Sequence, residues 1–141
     1  MGLVVALSLV GFTSCDDDDD DDDGASVVAT YKYTYEAEGE DDDSYTETFR
    51  FYNDATFKLT MDSYTIATGS YTGDATSDGD VTLTIKKVAK GFVEDSDDTS
   101  LIAWSSDYGD ASVTITIKDG SFEIGDDYFD GYFYGETFTR Q

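Results

Sequence analysis

From Val27 onward the chain alternates between two kinds of residue, and few folds accept that pattern. Val27, Ala29, Tyr31, Tyr33 and Tyr35 take one set of positions; Val28, Thr30, Lys32 and Thr34 take the other. Successive side chains of an extended strand point to opposite faces, so the stretch reads as a strand with a core side and a mostly wet side. The pattern returns in 45–52, where Phe49 and Phe51 face inward, then at Phe57, Leu59 and Met61, and again over 64–72. It continues at Val81, Leu83 and Ile85, in 101–105 with the sole tryptophan Trp104, at Val113, Ile115 and Ile117, at Phe122 and Ile124, and over 132–140. Asn53-Asp54-Ala55 reads as a tight connection and Asp119-Gly120 as a two-residue hairpin turn.

No helical periodicity of useful length interrupts this series. Proline is absent, while 11 tyrosines and 9 phenylalanines favour strands and supply core bulk without disulfides. The expected fold is therefore all-β: an antiparallel up-and-down β-barrel of about 8–9 strands over residues 27–141. Closure would remove the exposed edges that invite aggregation. A two-sheet β-sandwich is the alternative, because strand number and alternation do not separate the two.

The first 26 residues read differently. Residues 3–10 are an apolar run, too short to span a bilayer, and Thr13 and Ser14 lead from it to Cys15, the order that signal cleavage requires. Cys15 is the only cysteine, so it has no partner for an intramolecular disulfide. This segment resembles the lipobox of bacterial lipoproteins. The resemblance implies a signal peptide over 1–14 and a Cys15 that receives a diacylglyceryl group and becomes the first mature residue. No Lys or Arg precedes Lys32, so the start of translation is expected upstream of Met1.

Eight consecutive aspartates at 16–23, followed by Gly24-Ala25-Ser26, bury nothing and repel one another. With Cys15 they are expected to form a disordered linker over 15–26. The eleven residues after the cysteine reach on the order of 35 Å when extended. The acidic run resembles the export signal of surface lipoproteins in some Gram-negative bacteria, which implies an outer-membrane protein displayed at the cell surface. Aspartate directly after the cysteine also resembles the inner-membrane retention signal of enteric bacteria, so a periplasm-facing protein is the alternative.

The formal charge is −24, and 24 acids still face 8 bases once the aspartate run is set aside. Such a surface repels nucleic acid. Histidine is absent and the one cysteine is assigned to lipid, so the usual bases, thiol nucleophiles and zinc sites lack their parts. No enzymatic activity, metal site or cofactor is expected. Asp74, Thr76, Asp78 and Gly79 imitate half of a calcium loop, but Ile85 stands where a bidentate glutamate is needed, so Asp74, Asp78 and Asp80 read as a solvated turn rather than a calcium contact.

The order of features resembles the small lipocalin-like lipoprotein domains of the calycin type. Ala29-Thr30-Tyr31-Lys32 lies where that family has Gly-x-Trp. The segment from Phe51 to Phe57, F-Y-N-D-A-T-F, resembles its F-x-x-D-G-T-F hairpin, and Thr68-Gly69-Ser70-Tyr71 its G-x-Y strand. Ala55 thus occupies a glycine position suited to positive φ. The resemblance implies a small apolar or amphipathic ligand held in the barrel. Tyr31, Tyr33, Tyr35, Trp104, Tyr132 and Tyr134 are the candidate contacts, weighed against ordinary cross-strand packing. The alternative is a surface adhesion or glycan-binding module that uses exposed aromatics. The expected partners are the membrane, through the lipid, and a small molecule, with the chain otherwise a monomer. Replacing the anchor residue, Cys15→Ala, is expected to leave the protein unprocessed or soluble; detergent-phase partitioning equal to that of the parent would show that Cys15 is not the anchor.

Overall fold

The computed structural model describes residues 24–39, 43–124 and 136–141. Cys15, Tyr132 and Tyr134 lie outside those residues, as do the signal peptide and the aspartate run. The described residues form nine strands: β1 (Val27–Tyr35), β2 (Tyr45–Tyr52), β3 (Thr56–Met61), β4 (Tyr64–Thr72), β5 (Gly79–Ala89), β6 (Leu101–Ala103), β7 (Ser112–Ile117), β8 (Ser121–Ile124) and β9 (Glu136–Arg140). A four-residue helix, α1 (Lys90–Val93), and a 3-10 turn at Ser106–Tyr108 lie between β5 and β7.

All nine strands belong to one antiparallel sheet in the order β6-β5-β4-β3-β2-β1-β9-β8, curled into a half-barrel. Strand β5 is long enough for two partners, pairing β7 over Gly79 to Thr84 and β6 over Lys87 to Ala89. The β7–β8 turn is held by reciprocal backbone bonds, Lys118 N–H to Ser121 O at 2.8 Å and Ser121 N–H to Lys118 O at 3.1 Å. This up-and-down arrangement is consistent with a lipocalin-like fold.

The alternation seen in the sequence is the alternation of faces. Inward positions carry Tyr31, Phe49, Phe51, Phe57, Leu59, Leu83, Ile115, Ile124 and Phe138, all fully buried. Phe49 makes ring contacts with Phe51, Phe57, Phe122 and Phe138, at centroid distances from 5.0 to 6.1 Å. The middle of the half-barrel is therefore filled by side chains, at roughly 1.5–3 kcal/mol for each large residue buried. Outward threonines pair across strands, as at Thr34 with Thr46 and Thr82 with Thr114. Gly69 allows β4 and β5 to approach closely: a Cβ there would stand 2.0 Å from the Thr84 carbonyl oxygen.

The two ends differ. At the end where β1 begins, the loop after β4 folds across the opening and buries Ala75. Tyr31 Oη donates to the Ala75 carbonyl at 2.7 Å, and Arg140 Nε donates to Tyr31 Oη at 3.1 Å. The guanidinium carbon also lies 5.2 Å from the Tyr31 ring centroid. At the same end Tyr71 Oη donates to the Tyr52 carbonyl at 2.8 Å. That end is plugged. At the opposite end lie the last residues of β1, β3, β5 and β8 and the first residues of β2, β4, β6 and β9.

Ala55 adopts φ 65°, a left-handed conformation that favours glycine. It is held there by its neighbours: Tyr71 N–H donates to its carbonyl at 2.9 Å, and Asp54 Oδ1 accepts from Thr56 N–H at 3.0 Å. A residue with a Cβ costs about 1–2 kcal/mol in this region. Ala55→Gly is therefore expected to stabilise the domain by about 1 kcal/mol, less the added entropy of the unfolded chain, read as a rise in the thermal midpoint. An unchanged or lower midpoint would show that the turn carries no such strain.

Candidate functional site

Two acids break the apolar inner face towards the end opposite the Ala75 plug. Glu47 on β2 is in phase with Phe49 and Phe51, and Glu136 on β9 is in phase with Phe138, so both side chains enter the interior. Glu47 is 1% exposed and Glu136 8%. Their carboxyl groups are hydrogen-bonding partners, with the Tyr45 hydroxyl beside Glu136. Among the described residues, one oxygen of each carboxyl, Oε2, is buried and accepts no N–H or hydroxyl hydrogen bond. Leaving a buried acceptor unmatched is costly, so such oxygens mark a place where a further donor would be stabilised.

The surrounding groups come from every strand packed there. Strand register sets Tyr33, Glu47, Met61 and Tyr64 side by side across β1, β2, β3 and β4. Tyr33 also meets Tyr45 at 6.5 Å and Phe138 at 5.9 Å, while Tyr35 stacks on Tyr45 at 5.1 Å. Tyr64 Oη donates to Met61 Sδ at 2.9 Å. A cleft of about 250 Å³ opens beside this row, lined by Tyr64, Ala89, Gly91, Phe92 and residues 96–99 of the β5–β6 connection.

Burial governs the electrostatics. Glu47 is pushed up to about 9, first by desolvation, then by its hydrogen bond to Glu136, then by the negative charges of Glu136 and Asp62. Glu136 is also raised by burial, but the hydrogen bonds from Glu47 and Tyr45 work against that. Burial thus pushes both carboxyls towards their protonated forms, and the two titrate as a pair. The two acids and desolvation raise the Tyr33 and Tyr45 hydroxyls, Tyr45 to about 12, and burial with Glu47 and Asp62 raises Tyr64.

Of the aromatic residues that the sequence offers as ligand contacts, Tyr33 and Tyr35 belong to this cluster. Tyr31 lies deeper, fully buried, with its hydroxyl committed to Ala75 and Arg140. Trp104 lies elsewhere, half-buried against Tyr108 at 5.7 Å, its indole N–H donating to the Gly109 carbonyl at 3.2 Å. Tyr132 and Tyr134 are outside the described residues. The turn at 74–80 uses its own carboxylates: Asp74 accepts from Thr76 N–H at 2.8 Å and from Ser77 Oγ at 2.8 Å, and Asp80 accepts from Thr116 Oγ1 at 2.7 Å. Those bonds hold the Asp74 carboxyl below its ordinary value, as expected of a self-capped turn. Among the described residues no three Cys, Asp or Glu converge as a metal site would need.

Comparison of the chain with protein-family models, with curated proteins and with solved structures finds no match.

The titration of Glu47 sets a sign for stability. Its folded-state value lies above the ordinary 4.5, so the folded protein holds a proton that the unfolded chain releases. Its contribution is complete below about pH 4.5 and is lost as pH rises towards about 9, at up to about 1.4 kcal/mol per pH unit. Glu47→Gln, which keeps the shape and needs no proton, is expected to be more stable than the parent at pH 8.5 by roughly 2 kcal/mol or more, and nearly equal at pH 4.5. Urea titrations at the two pH values measure this; a difference that does not grow with pH would place the proton elsewhere.

Proposed function

We propose that this chain is a lipid-anchored cell-envelope protein, tethered through Cys15 to the outer membrane and displayed at the cell surface, whose half-barrel closes as a lipocalin-like barrel and binds a small amphipathic ligand. The observation that carries the binding reading is the Glu47–Glu136 pair, two buried acids towards the end opposite the Ala75 plug, each with an oxygen that accepts no N–H or hydroxyl hydrogen bond among the described residues. A ligand with a hydrogen-bond donor at its head would satisfy those acceptors, and the apolar and aromatic cleft walls beside Tyr64 and Phe92 would take its body. The filled middle of the core confines this ligand to the mouth, in contrast to the deep lumen that the family resemblance implies.

A binding role fits the pair better than catalysis. Carboxyls that flank a scissile glycosidic bond stand about 5–9.5 Å apart with the sugar between them, whereas these two bond to one another. Glycan contact is the second reading, favoured by the half-buried Trp104–Tyr108 pair on the β6 side.

Native mass spectrometry of the protein extracted in mild detergent from its own cells is the test. The expected result is an amino-terminal peptide bearing acyl chains on Cys15, together with a folded domain that retains a small molecule released on denaturation. An unmodified Cys15 overturns the anchor, and a bare domain from freshly broken cells overturns the ligand.

A further inference from the structure

A groove of about 390 Å³ lies beside the first residues of β1, at the other end of that strand from the acid pair. Val27, Val28, Thr30, Lys32, Arg50 and Arg140 are among the residues that line it. It exists because two neighbouring strands differ in reach. Strand β1 begins at Val27, whereas β9 pairs with it at Tyr31 and Lys32 and ends at Arg140, after which Gln141 N–H donates to the Thr30 carbonyl at 3.0 Å.

The lining departs from the rest of the chain in two respects. The sequence has 8 bases against 32 acids, yet three of those bases line this one groove and no Asp or Glu does. Apart from the inward Glu47 and Glu136, strands β1, β2, β3 and β9 contain no acid at all. Lys58, the register partner of Arg50 on β3, extends the same basic row. Val27 and Val28, 49% and 42% exposed, are two of the three large apolar residues that stand exposed among the described residues. Arg140 is held in place from within, its Nε donating to Tyr31 Oη at 3.1 Å and its guanidinium carbon 5.2 Å from the Tyr31 ring centroid. A cation fixed before its partner arrives loses little freedom on binding. The groove is thus cationic on one side and apolar on the other. Arg and Lys meet oxyanions through charge-assisted hydrogen bonds, and the several acceptor oxygens of a phosphate suit bases drawn from three different strands.

We propose that this groove is a binding site, independent of the acid pair, for a phosphate-headed amphiphile: the phosphate seated against Lys32, Arg50 and Arg140, the apolar body lying along Val27 and Val28. The head is that of a free phosphomonoester or of a membrane lipid's phosphodiester, and experiment separates the two.

Titration of the purified protein at pH 7 with inorganic phosphate, octyl phosphate, monomeric dihexanoylphosphatidylglycerol and octylamine, followed by the methyl resonances of Val27 and Val28, tests this. At least one of the two phosphate amphiphiles is expected to bind about tenfold more tightly than inorganic phosphate, as burial of about two methylenes against the valines implies. Octylamine should leave those methyl resonances in place. Tighter binding of octyl phosphate supports the site with a free monoester as its ligand, and equal or tighter binding of the lipid supports it with a bilayer headgroup. Lys32 is exposed, so Lys32→Gln is expected to fold and to weaken the preferred ligand about tenfold, the loss of one charge-assisted hydrogen bond. Lys90→Gln, which removes a base outside the groove, should leave the affinity unchanged. Valine shifts produced equally by octylamine, no gain of either amphiphile over inorganic phosphate, equal losses in the two variants, or no binding by any phosphate would each overturn the proposal.

Discussion

The pairing of the first strand with the last turns a row of hairpins into a curved shell. Among the described residues Tyr31 with Arg140 and Lys32 with Thr139 pair between β1 and β9, and Gln141 N–H donates to the Thr30 carbonyl at 3.0 Å, so the join is short for the work it does. It is reinforced from inside, because Arg140 reaches the Tyr31 hydroxyl and that hydroxyl reaches Ala75 of the plug. A single chain of polar contacts thus ties together the first strand, the last strand and the loop after β4. The ring packing of Phe122 and Phe138 against Phe49 is held by that join on one side and by the tight β7–β8 turn on the other.

Against so apolar an interior, the two glutamates stand out as a local conflict. Desolvating a carboxyl is expensive, and burial pushes both of these towards holding a proton. Two buried acids at inward positions are a local inconsistency in an otherwise apolar face. A core that is packed elsewhere makes the contrast sharper, because the inward positions next to the acids on the same strands are Phe49, Phe51 and Phe138.

Much of the architecture was legible in the period-two pattern. Residues 27–35, 45–52 and 64–72 are strands over the same spans in the structure, and Asp119-Gly120 makes the expected turn, with Gly120 at φ 75°. Strand β5 runs further than the clean alternation at 81–85, to Ala89, because a shift in register against β4 lets Lys86 and Lys87 both stay exposed while Val88 returns inward. The short helix α1 gave no signal, being a single turn with no apolar face to repeat. The candidate site was only half readable. Tyr33 and Tyr35 were visible as inward aromatics, but in so acidic a chain Glu47 and Glu136 do not stand out by identity. Phase is the sign that finds them: each is an acid at a position where its strand's alternation demands an apolar residue. Whether two such acids meet depends on β2 and β9 flanking β1, which no local pattern encodes.

The two ends of the shell also have a consequence for how the molecule stands. Chain entering at Val27 does so on the capped side, beside Arg140, while Glu47 and Glu136 sit near the far rim, several residues up strands that rise about 3.3 Å per residue. Chain entry and acid pair are thus held at opposite ends of the packed core, so whatever precedes Val27 joins the domain away from the acidic rim.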